Sequence, residues 1–431
     1  MEESDFRRIS GKFRRTKMEW DNKMTLPFGD CDLYNLEYES ENKRYLLGHT
    51  SYMCDEHHDE RGKKLKFRKE AVKEQPSDEQ IKENLTFSYP LMREQSSSGI
   101  LQRHKRVTIM LHGLNERFYD KYLRWAYPIW QGTEAPVVIF PLTFSINRVW
   151  HGWGKQIPET RERRARIRNN RTVYYDNATM SERLGKHPKR FFWGGVQSYW
   201  DIIDLVRQIR NPKGDKEINK HFAPDTRVDF FGYSSGGYIA LALLLANHEG
   251  LFSDSRACLF ASCVEMNDIR PISPFIIDRK GEDAVREMFV DGFDNLPNER
   301  MKHWFEHHEE ARWLGSFAGA PPQDRTQRDI GLKKLAPRLL GIANSNDKVT
   351  PLAAMLNVLQ GVRRNTGVRV EELKLGKHEN PFAYTYYPDP KQSDARKYRK
   401  EKLDFVTNFL NKELYGSEFK QFIDLIVEHL K

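Results

Sequence analysis

The sequence predicts an α/β protein in which a mostly parallel central sheet is flanked by helices, with two cap-like insertions and an N-terminal extension. Three observations carry this expectation. From about residue 85, buried-type strands alternate with stretches of helical length, the order that builds a parallel sheet with helices on its faces. Midway, the strand-like Val228-Asp229-Phe230-Phe231 runs through Gly232-Tyr233-Ser234-Ser235-Gly236-Gly237 into an apolar stretch, Tyr238 to Ala246. So sharp a bend needs glycines on both sides, which let the backbone turn tightly and let neighbouring elements approach the serine. Lastly, an aspartate and a histidine stand just beyond two later predicted strands, at Asp347 and His378.

Residues 1–80 are highly charged and poorly periodic; they read as an extension, with short strand candidates at Leu33–Tyr38 and Tyr45–Leu47. Regular patterning begins at Asn84–Leu91, and the main domain is placed at 81–415. Arg106–Leu111 is a buried-type strand ending at His112-Gly113-Leu114, followed by an aromatic-rich helix, Phe118 to Trp130, and a strand, Pro136–Phe140. The chain then makes a long basic excursion over 142–192 that contains Trp150 and Trp153. An irregular segment of that length inside a domain points to a functional loop or cap. Helical spacing returns over Gln197–Ile209, with Tyr199, Ile202, Ile203, Val206 and Ile209 in phase. After the glycine-flanked turn come a helix at 236–247 and a strand at Ala257–Val264. A second insertion occupies 267–333, where Trp304, Phe305, Trp313 and Phe317 read as cap core ahead of pocket lining. The strand Arg338–Ala343 ends at Asn344-Ser345-Asn346-Asp347, a helix follows at Pro351–Gly361, and the strand Val368–Leu375 ends at Gly376-Lys377-His378. Two amphipathic helices close the chain. In the last, at 416–431, Phe419, Phe422, Ile423, Ile426 and Leu430 share one face.

A chain of 431 residues can bury a substantial core, and 39% hydrophobic with 12% aromatic content excludes wholesale disorder. A mean hydropathy of −0.75 with 30% charged residues implies a very polar surface. No apolar run approaches the ~20 residues that cross a bilayer. The stretch Met1–Arg8 lacks the apolar core of a secretory signal. A cytoplasmic location is therefore expected, with peripheral membrane contact left open. Cys31, Cys54, Cys258 and Cys263 are too scattered for a disulfide framework or a zinc site, and Cys258 and Cys263 read as reduced core thiols. His57-His58 and His307-His308 read as solvated pairs, since adjacent residues on a helix do not share a face and no ligand spacing completes a site. No metal and no cofactor are expected.

The formal charge of +9 is gathered locally, at Arg161, Arg163, Arg164, Arg166, Arg168 and Arg171 and in a second basic run over 61–69. The first explanation is a solvated helix face with a loop. The second is attraction of an anionic substrate, a membrane surface or nucleic acid. No recognisable nucleic-acid module accompanies these runs, so no nucleic-acid partner is expected.

Gly-x-Ser-x-Gly alone arises by chance in roughly one chain in ten of this length, so the serine needs partners. A serine hydroxyl is a poor nucleophile at neutral pH unless a base takes its proton, and that base must be oriented by an acid. Ser234, Asp347 and His378 come in the order Ser…Asp…His, each beyond the C-terminal end of a strand, where a parallel sheet places its ligands. Ser234, unlike Ser235, has a glycine two residues before it and two after. Asp347 has a competing explanation as the N-cap of the helix near Pro351; the acid would then be Asp254, Glu265 or Asp268.

Taken together, these segments resemble the α/β-hydrolase superfamily. Gly232-Tyr233-Ser234-Ser235-Gly236-Gly237 is similar to its nucleophile motif and Asn346-Asp347-Lys348-Val349-Thr350-Pro351 to its acid loop. Gly376-Lys377-His378-Glu379-Asn380-Pro381-Phe382 is similar to its histidine loop, and His112-Gly113-Leu114 to its oxyanion loop. The likeness spans roughly residues 85–413, with the two insertions as departures. It implies an α/β-hydrolase fold with Ser234 as nucleophile, His378 as general base and then acid, and Asp347 as its orienting partner. It also implies an oxyanion hole from the backbone N–H groups of Leu114 and Ser235. The expected activity is serine hydrolysis of a carboxylic ester or thioester through an acyl-enzyme, on a small-molecule or lipid-like acyl substrate. An acyltransferase using the same residues, and a non-catalytic binding scaffold, are the alternatives. Candidate substrate-binding residues are His112, Tyr233, Trp150, Trp153, Arg164 and Arg166, the arginines because guanidinium forks match anionic acyl or leaving groups. Substrate identity and oligomeric state are left open.

Overall fold

The structure, a computed structural model, describes residues 26–28, 31–48, 52–68, 70, 72, 74, 76–95, 101–292, 298–318, 322–382 and 417–431. The strands in chain order are β1 (Leu26–Phe28), β2 (Cys31–Glu39), β3 (Tyr52–His58), β4 (Lys64–Phe67), β5 (Thr86–Glu94), β6 (His104–Leu111), β7 (Val137–Phe140), β8 (Phe222–Tyr233), β9 (Ala257–Phe260), β10 (Leu339–Asn344) and β11 (Arg369–Leu373). Nine of them make one sheet in the order β1-β2-β5-β7-β6-β8-β9-β10-β11, while β3 and β4 pair separately. From β7 to β11 along that order every pairing is parallel, and β5, β2 and β1 extend the sheet antiparallel. The parallel strands are covered on both faces, which is why Val107–Leu111, Val137–Phe140 and Leu339–Asn344 are continuous buried runs rather than alternating ones.

The main helices are α1 (Asp120–Thr133), α2 (His151–Ala165), α3 (Ala178–Lys186), α4 (Lys189–Ile209), α5 (Ser235–Ala246), α6 (Arg279–Arg286), α7 (Glu299–His307), α8 (Glu309–Gly315), α9 (Pro322–Leu335), α10 (Leu352–Leu359) and α11 (Ser417–Leu430). On one face α1 and α11 pack around Trp125, Phe231, Phe260 and Phe422, whose rings meet edge to face. The opposite face is closed by α4, α5 and α10 through residues such as Ile203, Leu241 and Val358. The α5 helix is apolar on every side, and it is accordingly buried. The architecture is that of an α/β-hydrolase. The chain leaves β6, forms α1 and β7 on one side of it, then returns to the other side as β8. Strand order therefore reverses at β6, which opens a crevice beyond the C-terminal ends of β6 and β8.

At that reversal His112, fully buried, ties two strand ends together. Its Nε2 accepts from the Leu142 N–H at 2.8 Å, so Nδ1 carries the proton and donates to Gly113 O at 2.8 Å. Burial pushes its pKa down to about 4. His112, expected at the substrate, thus shapes the loop and is not among the residues that line the cavity beside Ser234.

The 1–80 stretch is only partly an extension. The β2 strand pairs along its whole length with β5, from Cys31–Glu94 to Glu39–Thr86. The residues after it are clipped to α4 by Asp201, which accepts from Ser40 Oγ (2.5 Å), Asn42 Nδ2 (3.0 Å) and Arg148 Nη2 (2.7 Å). Tyr45–Leu47 is not a strand; Asn42–Tyr45 is a 3-10 turn, and Tyr45 stacks on Trp200 of α4 with centroids 6.5 Å apart. The penultimate helix expected from the sequence lies outside the described residues. No described helix is long and apolar enough to cross a membrane.

The 142–192 segment is helical rather than irregular: it holds α2 and α3, and α4 begins at Lys189 instead of Gln197. The α2 helix lacks an apolar stripe because its anchoring is ionic. Arg164 Nε and Nη2 lie 2.6 and 2.7 Å from the two carboxylate oxygens of Asp278, and both side chains are buried. Asp278 also caps α6, accepting from Gly281 N at 2.8 Å. A planar fork thus joins the two insertions. The other arginines of the run, Arg161, Arg163, Arg166, Arg168 and Arg171, are exposed, and Arg166 pairs at the surface with Glu162.

Two expectations follow. Arg164→Ala leaves a buried, uncompensated carboxylate and should lower unfolding free energy by about 3–5 kcal/mol in urea titrations. Arg166→Ala should stay within about 0.5 kcal/mol of wild type. For His112 the folded state stays neutral down to about pH 4, while the unfolded chain binds a proton near its ordinary value of 6.5. Its contribution is therefore complete above pH 6.5 and is lost as pH falls toward 4. At pH 5 the proton uptake on unfolding, read from the slope of stability against pH, should fall by about one in His112→Gln; an unchanged slope would refute this.

Candidate active site

Ser234 joins β8 to α5 with φ 52° and ψ −121°, a conformation that L-residues hold only when their surroundings enforce it. Its N–H donates to Phe260 O at 3.0 Å, and its carbonyl accepts from Gly237 N (3.0 Å) and Ser262 Oγ (2.5 Å). A Cβ at Gly236 would sit 2.4 Å from Leu111 O, and one at Gly232 would sit 2.6 Å from Gly237 Cα. Close approach of β6 to the first turn of α5 therefore explains Gly236, and the folding of that turn back over the end of β8 explains Gly232.

Three side chains from three loops form a buried hydrogen-bonded chain. His378 Nε2 lies 2.9 Å from Ser234 Oγ, and His378 Nδ1 lies 2.6 Å from Asp347 Oδ2. Asp347 is not the N-cap of the following helix, a position held by Pro351, but it caps the turn just before it. Oδ1 accepts from Val349 N (2.7 Å) and Thr350 N (2.9 Å) as a turn cap, while Oδ2 faces the imidazole and also accepts from Thr350 Oγ1 at 2.7 Å. Of the rival acids, Glu265 instead pairs with Arg325 and Arg328, at 3.2 and 3.0 Å. Tyr233 lies under the histidine loop: its ring stacks on His378 at 5.4 Å and its hydroxyl donates to His378 O. Tyr233 therefore supports the histidine rather than lining a pocket. Burial pushes the thiol of nearby Cys263 up to about 12, so it stays protonated and offers no rival nucleophile.

Ser234, Ser235 and Leu114 open onto a cavity of about 200 Å³ whose other walls include Leu142, Met180, Ile239, Phe289, Phe305 and Phe317. The lining is overwhelmingly apolar, and both insertions contribute to it. Charged residues at its edge are engaged: Arg190 Nε with Asp78 at 2.8 Å, Arg183 with Asp78 at 3.3 Å, Arg286 with Glu282 at 2.8 Å. The Ser235 N–H begins α5 and so has no acceptor within the helix. Trp150, Trp153, Arg164 and Arg166 do not reach the cavity. Trp153 packs against Phe144 (6.0 Å) beneath the Arg183 guanidinium (4.1 Å), so these tryptophans brace a wall from behind. Phe305 and Phe317, expected as cap core, line the cavity, whereas Trp304 is buried behind it.

The histidine pairs are not simply solvated. His308 is buried, and with Cys54, His57 and His303 it forms a group whose candidate ligand atoms all lie within 4.8 Å of one another. A register shift between Met53 and His58 lets Cys54 and His57 face the same point. On the other side, α7 ends at His307, and His308 leaves it with extended backbone. The signal available in the sequence was Cys54-x-x-His57 with His303-x-x-x-x-His308, not the adjacent histidines.

Among solved structures the chain is similar to an S-formylglutathione hydrolase from Agrobacterium tumefaciens, with 11% identity, TM-score 0.42, and 95% of this chain and 99% of that one covered. It is also similar to a hyperthermophilic esterase from Pyrobaculum calidifontis (9%, TM-score 0.36, 95% and 92%) and a thermostable esterase from Pseudomonas putida (13%, 0.37, 80% and 80%). No curated protein matches the sequence. The family of unknown function DUF6051 matches over residues 8–411, and the chain belongs to that family.

Proposed function

We propose that this protein is a serine hydrolase that cleaves a carboxylic ester or thioester with an apolar acyl group through an acyl-enzyme. The observation that carries this is the unbroken chain Asp347–His378–Ser234, with links of 2.6 and 2.9 Å, ending at the wall of an apolar cavity. In this mechanism Ser234 Oγ attacks the acyl carbon as His378 Nε2 takes its proton. Asp347 Oδ2 accepts from Nδ1–H, which fixes the tautomer and stabilises the imidazolium. The Leu114 and Ser235 N–H groups receive the developing oxyanion, and losing one such donor typically costs about 3 kcal/mol in the transition state. His378 then protonates the departing alkoxide or thiolate. A water deprotonated by the same nitrogen attacks the acyl-enzyme, and its collapse returns the proton to Ser234 and releases the acid.

The paired arginines at the cavity edge favour a neutral acyl chain over an anionic one, because an incoming carboxylate would have to displace a carboxylate already in place. A fluorophosphonate should label the protein at Ser234, and Ser234→Ala should neither label nor turn over p-nitrophenyl esters. An adduct mapped elsewhere, or hydrolysis surviving at the wild-type rate in the variant, would sink the proposal. Asp347→Asn should lower kcat by about 10⁴-fold, because the amide leaves the wrong imidazole tautomer.

A further inference from the structure

The geometry points to a structural zinc site formed by Cys54, His57, His303 and His308, separate from the hydrolytic centre. The two elements that build it are far apart in sequence. Cys54 and His57 lie on β3, His303 lies on α7, and His308 follows the end of that helix. The Cys54 Sγ is 3.2 Å from His57 Nδ1 and 3.2 Å from His308 Nε2. With Zn–S near 2.3 Å and Zn–N near 2.0–2.1 Å, tetrahedral ligands stand roughly 3.3–3.6 Å apart. The two sulfur–nitrogen distances already approach that edge. The widest separation, within 4.8 Å, exceeds it by about 1.3 Å, which small side-chain rotations can close.

Ring orientation supports the same centre. The His57 ring is inclined 87° to His303 and 69° to His308, and His303 is inclined 70° to His308, with centroids 5.0–5.6 Å apart. Such rings radiate from a point rather than stack. A hydrogen-bonded cluster would pair each buried nitrogen, yet His303 Nε2 is buried with no hydrogen-bond partner in the structure. On the outer side of His308, where metal-bound imidazoles take a carboxylate partner, Glu56 and Glu310 stand 3.6 and 3.7 Å from Nδ1, near but beyond hydrogen-bond distance. Trp304 lies flat on the same ring at 4.4 Å.

Three imidazoles and one thiolate suit Zn²⁺ over the oxygen-seeking Mg²⁺ and Ca²⁺. Four protein ligands fill the tetrahedron, so the ion is structural and has no open position for chemistry. Binding releases the Cys54 thiol proton to solvent and forms a Zn–S bond without any redox change. The ion fastens the β3–β4 hairpin to α7, whose Phe305 lines the apolar cavity.

The test is metal analysis of the full-length protein produced with zinc and dialysed to micromolar free zinc. About one zinc per chain is expected. After stripping with a chelator, refilling wild type with Co²⁺ should give the intense visible bands of tetrahedral cobalt and a thiolate-to-cobalt band in the near ultraviolet. Cys54→Ser should lose the thiolate band, and His303→Ala should lower zinc affinity at least tenfold. His58→Ala, one residue from His57 but exposed, should match wild type in both. Zinc content near zero in folded wild type, a cobalt spectrum without a thiolate band, or unchanged zinc affinity in both ligand variants would overturn the site. Because the cobalt titration uses wild type, a variant that fails to fold leaves the test intact. Ser234 labelling is read separately, so failure of the zinc site and failure of the hydrolase proposal are distinguishable.

Discussion

The strained turn at Ser234 is the constraint around which the molecule is arranged. A non-glycine residue at φ 52° costs on the order of 1–3 kcal/mol, and it persists only because neighbouring backbone over-determines it. Phe260 at the end of β9, Ser262 just beyond it and Leu111 at the end of β6 all press on this one turn. What the strain yields is direction: Oγ projects from the crevice toward His378 and away from the core. The same crowding makes the end of β6 a boundary, and the His112 clip holds the following Gly113-Leu114 turn at that boundary.

Buried ion pairs, rather than apolar stripes, then decide how peripheral segments attach. Arg148–Asp201 holds the start of the first insertion on α4, where Asp201 also grips Ser40 and Asn42. Arg164–Asp278 joins the two insertions, and Arg190–Asp78 fastens α4 to the polar segment before β5. Such pairs add less net stability than apolar contacts of equal volume, but their geometry tolerates few alternatives. A sequence rich in arginine thereby specifies a definite arrangement over a surface that carries little hydrophobic information.

This explains which parts were legible in the sequence. The parallel strands were plain because continuous burial on both faces forces continuous apolar runs, as at Val137–Phe140. Ser234 and Asp347 were legible because each follows such a strand, whereas His378 follows the partly exposed β11 and was legible from Gly376-Lys377-His378 beyond it. The helices α2 and α3 were not, since α2 is held by Arg164 and shows no apolar period. The β2 strand was legible as the candidate Leu33–Tyr38, but Asp32, Glu37 and Glu39 gave no sign that it pairs with β5 in the central sheet. The Cys54–His308 convergence was missed because it depends on a shifted register and on the residue after a helix end, neither of which leaves a regular period. The aromatics of the second insertion were misjudged for a simpler cause: Trp304 and Phe305 are adjacent on α7, yet one faces the core and the other the cavity.

The fork between Arg164 and Asp278 has a dynamic consequence. Swinging the two insertions apart would strand a carboxylate that also caps α6, at a cost of several kcal/mol. At about 3 kcal/mol, fewer than roughly one molecule in a hundred is open there at any moment. The roof over Ser234 is thus preorganised and does not behave as a hinged lid. On the proposed hydrolase reading, selection among acyl chains would fall to the fixed outline of the cavity and not to closure of the roof at that seam.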